Sequence, residues 1–212
     1  MLILGVQRLV VFETPKTASL ALRAMLAGHA LPQSYRVARH IGQSTYQLKH
    51  AGNLAQAFGG GLETVAVVRA PLERMKSWYR YRKRAQVAHL PISTRGMSFE
   101  AFMLAYLEDH GPEMVNVGRQ DWFLSWTGAQ AQVDHVFDYA RLDLLVGFLS
   151  ACIGEKLVLP RRNISPRRKS TCYALSDAVL ARYRAANAEE FAFYRAVSAQ
   201  GHLRRAVLAK AA

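Results

Sequence analysis

The chain has little of what marks most specialised protein classes. Only two cysteines, Cys152 and Cys172, occur in 212 residues. They offer no disulfide framework, and their separation excludes a Cys-x-x-Cys zinc or redox site. No apolar run approaches the roughly 18 residues that a membrane span needs. The opening residues, 1–12, lack the basic start, long apolar stretch and small-residue cleavage site of a secretory signal. Reduced cysteines and a cytoplasmic location are the corresponding expectations. Internal repeats, low-complexity tracts and linkers are also missing. Acidic residues are scarce: 15 Asp and Glu face 28 Lys and Arg, a formal net charge of +13. Such a field attracts nucleic acid, acidic headgroups, acidic polysaccharides or cofactors bearing phosphate or sulfate, and does not choose among them.

What is present reads as one soluble globular domain spanning residues 1–212, with 51% hydrophobic and 20% charged residues. Residues 8–13 form an apolar strand, followed by helical spacing of Leu20, Leu22, Met25 and Leu26 that ends at Gly28. Residues 29–62 are mixed and close on Gly59-Gly60-Gly61. Residues 64–68 are a continuous apolar run, as in a strand buried on both faces. Residues 72–84 read as a helix with Leu72, Met75, Trp78 and Tyr79 along one stripe. A loop is expected over 85–98, then a helix over 99–109 capped by Ser98. A third short strand follows at 133–137, with helices at 141–153 and 176–198 and a basic loop at 161–169 between them. Alternating strands and helices predict a three-layer α/β fold with a small parallel sheet.

Two strand-to-helix turns carry the chemistry. The first is Glu13-Thr14-Pro15-Lys16-Thr17-Ala18-Ser19, where unpaired backbone N–H groups, a lysine and two hydroxyls meet at a helix start. Small Ala18 lets an anion approach the backbone. This is the logic of a phosphate-binding loop without the Gly-x-x-x-x-Gly-Lys-Ser/Thr signature, which disfavours an ordinary nucleotide triphosphatase. In the second turn, Pro71 favours the first turn of a helix, so Ala70 is extended and Arg69 projects from the sheet edge. Ser77 follows about two helical turns into that helix. Taken singly, a capped turn with a solvated lysine and a surface arginine would account for each. Side by side, the turns would hold a ligand with two separated anionic groups.

Pro15-Lys16-Thr17-Ala18-Ser19 and Val68-Arg69-Ala70-Pro71-Leu72-Glu73-Arg74-Met75-Lys76-Ser77-Trp78-Tyr79 resemble the two cofactor signatures of PAPS-dependent sulfotransferases. The resemblance is nearest to the carbohydrate branch, with its heparan-sulfate-type enzymes and bacterial relatives. It implies a P-loop-NTPase-like sulfotransferase fold and 3′-phosphoadenosine 5′-phosphosulfate (PAPS) as sulfuryl donor, with no metal. Lys16, Thr17, Ala18 and Ser19 would grip the phosphosulfate, and Arg69 and Ser77 the 3′-phosphate. Arg167, Arg168 and Lys169 of the basic loop would fold over that phosphate, unless the loop is a solvated charge run or an acceptor patch. Weaker echoes run through 120–126, 133–137, Leu159-Pro160 with Asn163 and Ser165, and the helix at 176–194. Leu20 and Ala21 stand where the family has Thr or Ser, and Ala70 where it has an acid, so some hydroxyl ligands are missing.

Sulfuryl transfer, like phosphoryl transfer, is helped chiefly by positioning and cations. Lys16 would stabilise charge on the leaving oxygen. A base for the acceptor hydroxyl, worth about 10²–10⁴-fold, would be His40, with His50 and Glu13 as alternatives. The expected acceptor is a hydroxyl of a saccharide or glycolipid. Three other readings stay open: a basic nucleic-acid-binding protein, a degenerate family member that binds nucleotide without turnover, and a Mg²⁺- and ATP-dependent transferase. No helix-turn-helix, zinc-finger or aromatic RNA-binding pattern supports the first, and no acid is placed to hold metal for the last. Trp78, Tyr79, Tyr81 and Trp122 read as core or cleft walls.

Overall fold

A computed structural model describes residues 1–127, 132–160 and 172–205. Among the described residues, five short strands form one sheet in the order β1 (Leu2–Leu4), β2 (Leu9–Val11), β3 (Glu63–Val68), β4 (His135–Asp138) and β5 (His202–Arg204). The three central strands are parallel, with Val11 opposite Val65 and Val68 opposite Asp138. Both edges are antiparallel, so the sheet is mixed rather than purely parallel. At the first edge the cause is local. Arg8 N–H bonds Gly5 O at 3.1 Å, closing a turn too short for a parallel crossover.

Helices cover both faces, and the strand alternation sorts the core accordingly. Leu2, Leu4, Leu9, Val11, Val65, Val67 and Phe137 face Leu22 of α1 (Ser19–Met25) and Leu145 and Leu149 of α7 (Leu142–Ile153). On the other face, Ile3, Val10, Phe12, Ala66, Val68 and Val136 pack with Tyr46 of α2 (Gln43–Tyr46) and Phe193 and Val197 of α9 (Ala188–Ser198). Burial on both sides explains why these strands read as continuous apolar runs. The chain is thus α/β, with the sheet as the middle of three layers.

The segment expected to be mixed holds α2, a π turn at Gln47–Ala51, and α3 (Gly52–Phe58). Gly59, at φ +65°, ends α3 in a left-handed conformation that favours glycine. Ala70 is extended before Pro71, as expected, and α4 runs Pro71–Arg82. Ser98 Oγ accepts from Ala101 N–H and caps α5 (Phe99–Tyr106). After the short α6 (Gln120–Phe123), the expected helix over 176–198 is two helices, α8 (Asp177–Ala186) and α9, meeting at Asn187. The Asn187 amide donates to Tyr183 O at 2.9 Å and accepts from Tyr106 OH at 2.9 Å, holding the break.

A third apolar cluster stands beside the sheet. Met75 and Tyr79 of α4, Phe99, Phe102 and Met103 of α5, and Val179 and Tyr183 of α8 are its main members. It fixes α4 from behind, which matters because the other side of α4 walls the turn after β2. Among the described residues no helix is long and apolar enough to cross a membrane.

Candidate anion-binding site

Parallel strands deliver their following turns to one edge of a sheet. Here β2 is followed by the Lys16 turn, β3 by Arg69 and β4 by Tyr139. The three meet: Arg69 Nη1 donates to Lys16 O at 3.4 Å, and its guanidinium carbon lies 4.4 Å from the Tyr139 ring centre.

The Lys16 turn is tight. Lys16 and Ala18 both have positive φ, +69° and +65°. For residues with a Cβ this costs about 1–2 kcal/mol each. Thr17, almost fully buried, closes the loop by donating its hydroxyl to Thr14 O at 2.8 Å. Ala21 and Leu22 are the first donors to the carbonyl of Ala18, so the N–H groups of residues 17–20 precede the helical ladder. Ser19 opens α1 and is largely buried, whereas Leu20 faces outward.

The Lys16 ammonium reaches across to α4. It lies 4.3 Å from the Tyr81 ring centre and 5.2 Å from that of Trp78. Burial, then repulsion by Arg84, Arg69, Arg80 and Arg82, lowers its pKa to about 7. Arg82 is committed to structure, donating to the carbonyls of Glu113, Met114 and Asn116. Ser77 lies half-buried on α4, one turn before Tyr81.

Arg69 is held by its backbone. Gln120 accepts from Arg69 N–H at 2.9 Å and donates to Arg69 O at 2.8 Å. Gln120 is pinned in turn by Glu190 Oε1, which takes its backbone N–H and side-chain amide and also pairs with buried Arg74 at 3.0 Å. The Arg69 guanidinium stays partly desolvated, which lowers its pKa, and its buried Nε has no hydrogen-bond partner among the described residues. Thr14 Oγ1 is also buried without a partner.

His40 and Glu13 lie at the same edge in different roles. His40 Nδ1 is 2.6 Å from Glu13 O, and burial lowers the His40 pKa. The Glu13 carboxylate is fully buried and held by Arg23 Nε and Nη2 and the Met1 ammonium, which takes it out of reach of an acceptor. His50 is on the π turn after α2. Arg167, Arg168 and Lys169 lie outside the described residues, as do Asn163 and Ser165.

The structure therefore brings together Lys16, Thr17, Ala18, Ser19, Arg69 and the carbonyl that orients His40. It adds Gln120, Tyr139 and the Trp78–Tyr81 pair, which pattern alone did not single out as site residues. Tyr79, by contrast, is core. Trp122 is 67% exposed, in an 820 Å³ cleft with Tyr106, Asn116 and Arg119. No group of three or more His, Cys, Asp or Glu among the described residues is arranged to hold a metal. No protein-family model, curated protein or solved structure matches this chain.

Proposed function

We propose that the chain is a sulfotransferase that moves a sulfuryl group from PAPS to a hydroxyl acceptor of saccharide or glycolipid type. One observation carries the reading. Adjacent parallel strands set Lys16 and Arg69 at one edge, the lysine faces four arginines, and the Arg69 Nε lacks a partner. A site so rich in cations suits a ligand with more than one anionic group. The orphaned Arg69 Nε and the N–H groups of residues 17–20 fit a nucleotide bearing separated phosphates.

PAPS supplies the activated sulfuryl group. Arg69, fixed through Gln120, binds the 3′-phosphate, with Ser77 on the neighbouring helix. The backbone of residues 17–19 holds the phosphosulfate, while the Thr17 hydroxyl shapes the loop. Lys16 carries its proton when an anion is present and balances charge on the leaving oxygen. His40 takes the acceptor proton at Nε2, because Nδ1 is committed to Glu13 O.

Calorimetric titration with 3′-phosphoadenosine 5′-phosphate (PAP), with AMP as control, tests the site. PAP should bind the more tightly, and Arg69→Ala should remove most of that preference. The expected loss is roughly 10²-fold, from about 2–3 kcal/mol for a charge-assisted hydrogen bond. Equal affinity for PAP and AMP would sink the reading and turn attention to nucleic acid as the partner of the basic surface.

A further inference from the structure

Both ring nitrogens of His40 are engaged. A carbonyl oxygen only accepts, so the 2.6 Å contact with Glu13 O puts the proton on Nδ1. Nε2 is then a bare lone pair, and Arg39 Nη2 donates to it at 3.1 Å. A protonated Nε2 would set N–H against N–H at that distance. Arg39 and a proton therefore compete for one lone pair, the one a base needs.

Arg39 is loosely tied elsewhere. Its Nε stands 3.9 Å from Glu13 Oε1, and the side chain is 40% exposed. That Nε makes no hydrogen bond. The Glu13 oxygens are already taken by Arg23 and the Met1 ammonium. The guanidinium can therefore leave His40 without breaking a strong ion pair.

We propose that Arg39 controls the protonation of His40, occupying Nε2 in the resting site until an incoming hydroxyl replaces it there. The identity of the reaction rests on the sulfotransferase reading; the competition between Arg39 and a proton does not. In the reaction, the acceptor oxygen bonds to sulfur as the sulfur–oxygen bond to the 5′-phosphate breaks; PAP leaves with that electron pair, and the acceptor O–H proton goes to His40 Nε2. The guanidinium is then kept away by the positive imidazolium. Arg39 is a positioning residue that acts through His40.

The charged groups around His40 fix the sign of the effect. Arg39 and the Met1 ammonium disfavour the imidazolium, and the carbonyl and carboxylate of Glu13 favour it. Removing Arg39 takes away a repulsion and a competitor, so the His40 pKa rises.

An NMR titration of the His40 ring in the protein without donor or acceptor tests this, with His40→Asn to assign the signal. In Arg39→Ala the midpoint should move to higher pH. Arg39→Gln, which keeps an N–H donor without the charge, should fall between. An unmoved midpoint in Arg39→Ala overturns the proposal. Release of PAP from PAPS, with methyl glucoside as acceptor, gives the second readout. The acid limb of kcat/KM should shift upward in Arg39→Ala by the same amount as the NMR midpoint, and a limb that stays in place overturns the proposal. A raised NMR midpoint in Arg39→Ala, together with a wild-type protein that never turns over PAPS, would overturn the sulfotransferase reading and leave the Arg39–His40 competition standing.

Discussion

Replacing Lys16 by methionine should stabilise the protein while abolishing its chemistry. The folded chain lowers the Lys16 pKa from about 10.5 to about 7. At about 1.4 kcal/mol per pH unit this corresponds to a penalty of up to roughly 5 kcal/mol for carrying the charge in the fold. Partial exposure and solvent screening reduce it. Against it stand the contacts of the ammonium with the Tyr81 and Trp78 rings, worth about 0.5–2 kcal/mol each. Methionine keeps the length and removes the charge, so a net gain of about 1–3 kcal/mol is expected near pH 6.

The pH dependence is the sharper part. The folded value lies below the unfolded one, so the fold holds this proton more weakly. The penalty is complete below pH 7, shrinks as pH rises, and vanishes above about 10.5, where both states are neutral. Urea denaturation of wild type and Lys16→Met at pH 6, 8 and 9.5 should show the mutant's advantage falling steadily. A mutant less stable than wild type at pH 6, or an advantage independent of pH, would refute the electrostatic account of this turn.

Two further outcomes follow from the same geometry. At pH 8 about nine-tenths of a lysine with a pKa of 7 is neutral; PAP binding should therefore take up nearly one proton at pH 8 and much less at pH 6. Binding enthalpies that do not vary with buffer ionisation enthalpy at pH 8 would refute this. Gln120→Ala, which removes both clamps on the Arg69 backbone, should cost about 2–4 kcal/mol in denaturant titration and cut the preference for PAP over AMP; an unchanged preference would mean that Gln120 does not position Arg69.

The central strands were legible because burial on both faces leaves a run of β-branched and apolar residues at 64–68. The edge strands were not, since Leu2–Leu4 and His202–Arg204 are too short for any period to register. The break at Asn187 was hidden for another reason. Its partner Tyr106 lies 81 residues away, and only the fold brings them together. The site divides similarly. Lys16 and Arg69 stand beside prolines at strand ends, where local backbone chemistry announces a turn. Gln120, Tyr139 and Glu190 act on Arg69 from distant segments, and no local spacing encodes that. Arg39 was visible beside His40, but its hold on Nε2 is a matter of side-chain direction.

Where the fold carries its unfavourable terms is itself an argument about the site. Two residues with positive φ, a desolvated lysine, an orphaned arginine nitrogen and an orphaned threonine hydroxyl all gather at the C-terminal edge of β2 and β3. Burial of about 200–300 Å² of apolar surface elsewhere in the core could offset them. Gln120, pinned by Glu190, spends its side-chain amide on the Arg69 backbone, and among the described residues no carboxylate pairs with the guanidinium. Costs of this kind persist where surrounding structure over-determines them. An anion lying between Lys16 and Arg69 would relieve the repulsion, restore the lysine's proton and give the arginine nitrogen its missing acceptor. One ligand would offset three separate costs, which is why the anion-binding reading of this edge is preferred to a merely structural one.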